Sequence, residues 1–142
     1  MLVRMIRNMM TNNISANQAD VAALVLRLVG GGFMLTHGLP KLNKLLAGDF
    51  GFADPIGIGA SASLVLTVLA EFGGALLILF GLGTRIVSLP LMFTMLVAAF
   101  IVHGADSFSK KEFALLYFAI YLALFFLGSG KYSVDQMIAK RS

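Results

Sequence analysis

Residues 61–83, SASLVLTVLAEFGGALLILFGLG, form an apolar run with a single carboxylate, Glu71, near its centre. At ~1.5 Å of rise per residue, ~20 helical residues cross the ~30 Å hydrocarbon core of a bilayer, so this run reads as a membrane-spanning helix. An ionised side chain at that depth costs roughly 2.5 kcal/mol or more, and so requires a partner, a proton or a function.

Composition supports the same environment. Of 142 residues, 58% are hydrophobic and only 13% charged, well away from the roughly 25% charged typical of soluble domains. The mean hydropathy is +0.89. A net charge of +4 would suit nucleic acid in a polar chain; here it fits basic residues flanking membrane helices, and no nucleic-acid partner is expected. The absence of Cys excludes disulfide scaffolds, thiolate metal sites and thiol redox chemistry.

Outward from the Glu71 run, punctuation by charge, Gly and Pro predicts an all-α membrane protein. It is read as a four-transmembrane-helix antiparallel bundle with short amphipathic terminal segments. The spans are 21–39, 61–83, 86–104 and 112–127, inside a membrane domain covering 21–128. Asp20 is the expected N-cap of the first span, and Ser109 with Glu112 the expected capping box of the fourth. Pro40 closes the first span, with 41–46 as an interfacial continuation. Residues 1–20 are basic and Met-rich, without an apolar core before a small-residue cleavage site. They read as an amphipathic juxtamembrane segment rather than a removable signal peptide. Residues 129–142 form a cytoplasmic tail with a short surface helix that Ser133 and Gln136 cap.

Basic residues set the orientation. Arg4, Arg7, Arg85, Lys131, Lys140 and Arg141 share the side of the termini, against Lys41, Lys44, Lys110 and Lys111 opposite, which places both termini in the cytoplasm. His37-Gly38 and His103-Gly104 end the odd-numbered spans on one face, a faint echo consistent with a duplicated hairpin.

Counted from the termini side, Arg27 lies ~9 Å deep, Glu71 ~18 Å, Tyr117 ~21 Å and both histidines ~25 Å. Glu71, His37, His103 and Tyr117, one from each span, therefore fall in a common band, with Tyr121 nearer the middle. Titratable groups inside spans commonly face the bundle interior and mark sites or pathways. Glu71 is read as a proton relay, with Arg27 as its charge partner. His37, His103, Tyr117 and Tyr121 are the candidate cofactor-binding residues. A carboxylate, histidines and tyrosines in a small aromatic pocket suit a quinone headgroup, whose oxygens need donors, acceptors and a route for protons. No close His/Glu spacing supports a metal site. The competing reading is a scaffold or lipid-interacting protein in which the same residues only lock helices together, and a small transporter of hydrophobic solutes is a third option behind both.

The chain resembles the DoxX family of small bacterial four-helix membrane proteins. The resemblance rests on Arg27 with Gly31-Gly32, the block His37-Gly38-Leu39-Pro40-Lys41-Leu42, Glu71 with Gly73-Gly74, and Gly81-Leu82-Gly83-Thr84-Arg85. His103 and the terminal Gly128-Ser129-Gly130-Lys131-Tyr132-Ser133-Val134-Asp135 also fit, although the family more typically shows Gly-Pro-Gly and a Leu before the Asp. It implies a bacterial inner-membrane, quinone-related oxidoreductase subunit. Its implied partners are the lipid bilayer, quinone and other subunits of a respiratory or redox complex, and a homo-oligomer is a further candidate. With no Cys and no haem or flavin motif, an accessory subunit fits better than a self-sufficient enzyme.

Overall fold

The computed structural model describes residues 1–11 and 13–142; Asn12, within the predicted N-terminal segment, lies outside the described residues. Helix α1 (Leu2–Met10) is exposed throughout, and its Leu, Ile and Met side chains segregate from Arg4 and Arg7. Three long helices follow: α2 (Ala16–Leu46), α3 (Ala60–Phe80) and α4 (Thr84–Val102). Each is long and apolar enough to cross a membrane. Helix α5 (Phe108–Leu127) returns along α4, and α6 (Val134–Ala139) closes the chain. Lys110, Lys111 and Glu112 occupy the first turns of α5, which leaves an uncharged stretch of about 22 Å. Helices α2 to α5 share one core, built around Met34, Ile78, Leu91, Met95, Tyr121 and Leu124.

Several boundaries differ from the sequence reading, for local reasons. The first span begins at Ala16, where Ser15 and Gln18 make a reciprocal capping box, so Asp20 lies inside the helix. Its carboxylate instead accepts a hydrogen bond from the Lys131 backbone at 2.9 Å. Pro40 does not end α2: the helix runs on through it to Leu46. Ser107 occupies the N-cap of α5, so Ser109 and Glu112 form no capping box, and Ser109 pairs with the Ser107 hydroxyl. The tail helix is capped as expected, with Ser133 accepting from the Gln136 amide at 3.2 Å.

Each of the three long helices contains one π-helical turn: Leu28–Phe33, Leu69–Gly74 and Ala98–Val102. Such turns are rare and concentrate at functional positions. The first is tied to α5, because Tyr121 donates its hydroxyl hydrogen to the Gly30 carbonyl at 2.8 Å. The second carries Glu71.

Small residues set the closest helix approaches. A Cβ on Gly38 would stand 2.4 Å from the Glu71 carbonyl oxygen, and one on Gly31 2.7 Å from the Leu79 amide nitrogen. Both contacts bring α2 backbone against α3 backbone, the use that small residues have inside membranes. Gly32 and Gly73, by contrast, face open space. Nor do the two His-Gly pairs echo one another structurally: Gly38 packs between helices, whereas a Cβ on Gly104 would meet its own chain at Phe100.

Gly38→Ala should therefore force α2 and α3 apart and cost about 2 kcal/mol, by analogy with overpacked cores. Gly73→Ala, on the open side of α3, should be neutral or slightly stabilising. Thermal unfolding of both variants in detergent checks the contrast.

Candidate functional site

Glu71 projects from its π-helical turn toward α2, where its carboxylate pairs with the amino group of Lys41. The glutamate side chain is 7% exposed and the lysine 27%. Arg27, the expected partner, is engaged elsewhere. The pairing with Lys41 arises because α2 continues through Pro40, which sets Lys41 one turn beyond His37 on the same helix face.

His37 meets Tyr117 of α5 edge-on, with ring centroids 5.8 Å apart, and Tyr117 stacks on Tyr121 at 6.2 Å. His103 lies just past the end of α4, where its Nδ1 is 2.8 Å from the Asp106 carboxylate. Asp106 also faces Lys110 at 3.8 Å. The hydrogen bond with His103 holds its carboxyl below the ordinary carboxylate value, against a smaller opposing effect of burial.

Four of the sequence-predicted site residues meet in one cavity of about 170 Å³: Glu71, His37, His103 and Tyr117. Lys41 joins them, and buried Met34, Met95 and Ala114 supply apolar wall. His37, Lys110 and Phe113 are exposed at its mouth. Tyr121 does not reach the cavity; it is fully buried behind Tyr117 and braces α5 on the Gly30 carbonyl. The cavity thus combines a cation and an anion at its floor, a phenol on one wall and an imidazole–carboxylate pair at its edge. Such a set can hydrogen-bond a ligand oxygen as donor or acceptor and exchange protons with it.

Arg27 serves the opposite end of the helices. Its Nε donates to the Ile78 carbonyl at 3.0 Å, which also accepts from the Gly81 amide, and Nη2 to that of Leu79 at 2.9 Å, both in the last turn of α3. Nη1 donates to the carbonyls of Ser129 at 2.9 Å and Tyr132 at 2.7 Å. The guanidinium therefore caps α3 and holds the tail at once. Gly81, at φ +71°, makes room for it: a Cβ there would stand 2.6 Å from Cζ. Beside it, Asp135 accepts from the Gly83 amide at 3.0 Å and caps the start of α4. Burial raises the Asp135 carboxyl's pKa, but hydrogen bonds from Ser129, Gly83 and Thr84 and the nearby Arg27 charge outweigh it and leave the pKa lowered.

The family model described as DoxX matches residues 22–104, a range that contains Arg27, His37, Lys41, Glu71 and His103. The chain belongs to the DoxX family. It is 31% identical over 128 residues to the inner membrane protein YqjF of Escherichia coli, across 86% of this chain and 95% of that protein. It is 30% identical over 124 residues to a Bacillus subtilis protein named "Putative oxidoreductase CatD", across 85% and 90% of the two chains. No solved structure matches the chain. As a DoxX-family protein with three membrane-length apolar helices, it is a membrane protein.

The ion pair makes a specific stability prediction for this DoxX-family chain. Lys41→Met strands a nearly buried carboxylate and should cost about 3 kcal/mol, whereas Lys41→Met combined with Glu71→Gln should recover most of that loss. A double-mutant cycle on thermal unfolding measures the coupling.

Proposed function

We propose that this protein is a quinone- or quinol-binding subunit of an inner-membrane redox complex, with α5 as a fourth span and both termini in the cytoplasm. The observation that carries this reading is the Lys41–Glu71 pair at the floor of a cavity shared with Tyr117, His37 and His103. A quinone is a two-electron, two-proton carrier whose ring oxygens alternate between acceptor and donor. The Lys41 ammonium can donate to a carbonyl oxygen, and the Glu71 carboxylate can accept a proton from a hydroxyl. Tyr117 offers a phenol at the same wall. His103 and Asp106, at the edge, are suited to pass protons between the cavity and water.

The family relationship supports the redox part of the reading, since one relative carries an oxidoreductase name. Electrons would come from a partner protein, because this chain has no Cys and no haem or flavin motif. The orientation draws on the basic residues at the termini side.

Purified protein should copurify with quinone in its lipid extract and bind added ubiquinone or menaquinone. Glu71→Gln should weaken that binding about tenfold, the loss of one charge-assisted hydrogen bond. Absence of quinone from the extract and of binding in either form contradicts the proposal. A variant that loses only thermal stability assigns Glu71 to bracing the helices.

A further inference from the structure

The polar cavity is the first of three spaces in series. Lys41, Glu71, Ala98 and His103 also line a second cavity of about 260 Å³, roofed by Phe52, Ala53 and Pro55 of the loop between α2 and α3. Pro55, Thr67, Thr94 and Val97 line both this second space and a third, of about 200 Å³, between α3 and α4. The third is apolar: Ile56, Ile58, Leu66, Ala70, Pro90 and Phe93 complete it. Its hydroxyls are already committed, Thr67 to the Ser63 carbonyl at 2.7 Å, Thr94 to the Pro90 carbonyl at 2.9 Å and Ser63 to Asp54 at 3.1 Å. The threonines therefore offer no free donor to a ligand. Leu66 and Phe93 are exposed on the flank of the helices, so the groove opens sideways, where a bilayer would lie.

We propose that this α3–α4 groove holds the prenyl tail of the ligand whose headgroup occupies the Lys41–Glu71 cavity, making the ligand a long-tailed amphiphile that arrives laterally from the bilayer. The inference rests on the quinone reading above and specifies its substrate class. The shared lining residues argue for one occupant: a single molecule with a polar head and an apolar chain matches adjoining spaces that run from an ion pair to exposed Leu and Phe side chains. The loop over the middle space is anchored for this role. Asp54 accepts from the Ile58 and Gly59 amides at 2.9 Å each, which pins Pro55, Ile56 and Ile58 beside the groove. The hydrogen bond from Gly59 leads the causes that keep the Asp54 carboxyl below its ordinary pKa.

The test uses the full chain in lipid nanodiscs, with ligand expressed as mole fraction in the lipid so that partitioning cancels. Two probes are compared: a prenylated ubiquinone, and the same headgroup with methyl in place of the tail. Thr94→Phe fills the junction between the second and third spaces. It should weaken the prenylated probe about tenfold while leaving the tail-less probe unchanged. Equal weakening of both, or of neither, overturns the tail assignment and leaves the headgroup reading standing. Binding of neither probe to wild type overturns both. Should Thr94→Phe fail to fold, a prenylated quinone with a photoreactive group on its tail replaces it, applied to wild-type protein. Crosslinks at Leu66, Thr67, Phe93 or Thr94 that excess unlabelled quinone suppresses support the groove. Crosslinks confined to other helix faces overturn it.

Discussion

The Lys41–Glu71 ion pair is the constraint on which the rest of the structure depends. A carboxylate near the middle of an apolar helix is tolerable only if its charge is answered, and the answering cation comes from a different helix. To deliver it, α2 must continue through Pro40 and approach α3 closely, which Gly38 permits because a side chain there would strike the Glu71 carbonyl. Charge pairing and backbone contact thus occur at one level of the molecule. Both open cavities that surround the pair follow from that arrangement.

The opposite end of the helices is held by different means. Arg27 is nearly fully buried, yet it is surrounded by carbonyl oxygens rather than by a carboxylate in direct contact. Its delocalised charge and forked donors suit the C-terminal carbonyls of α3, where the helix dipole also favours a cation. Asp135 performs the converse task at the start of α4. One charged residue of each sign therefore closes the α3–α4 turn and draws the tail across it. The division is between a hydrogen-bonded clasp at the termini side and a cavity-lining ion pair near the other side.

Much of this was legible in the sequence. Hydropathy and turn residues located the helices, and a simple count of rise per residue brought Glu71, His37, His103 and Tyr117 to a common depth, where they do line one cavity. The resemblance carried by the His-Gly-Leu-Pro-Lys block and the Glu71 region agrees with the family match. The charge partner differs for a definable reason: a span that closes at Pro40 puts Lys41 at the interface and makes Arg27 the cation nearest Glu71, whereas the helix runs through Pro40 and delivers Lys41. Had α2 been extended, the four-residue step from His37 to Lys41 would have placed a cation on the cavity face. Tyr121, one turn nearer the middle, points at the Gly30 carbonyl, a rotational fact that depth alone does not contain. Two of the three π-helical turns contain consecutive glycines and the third contains none, so glycine alone does not mark them in the sequence.

The ionised state of Glu71 is the claim on which the site's chemistry turns. Glu71 and Glu112 are the two glutamates of the chain, so infrared spectroscopy with isotope-labelled glutamate reads them against a nearly empty background. An isotope-shifted carboxylate band at neutral pH that loses the Glu71 share in Glu71→Gln and keeps that of Glu112, with no labelled protonated-carboxyl band lost alongside it, is the predicted result. A labelled protonated-carboxyl band at neutral pH, lost in the same variant, would contradict an ion pair with Lys41.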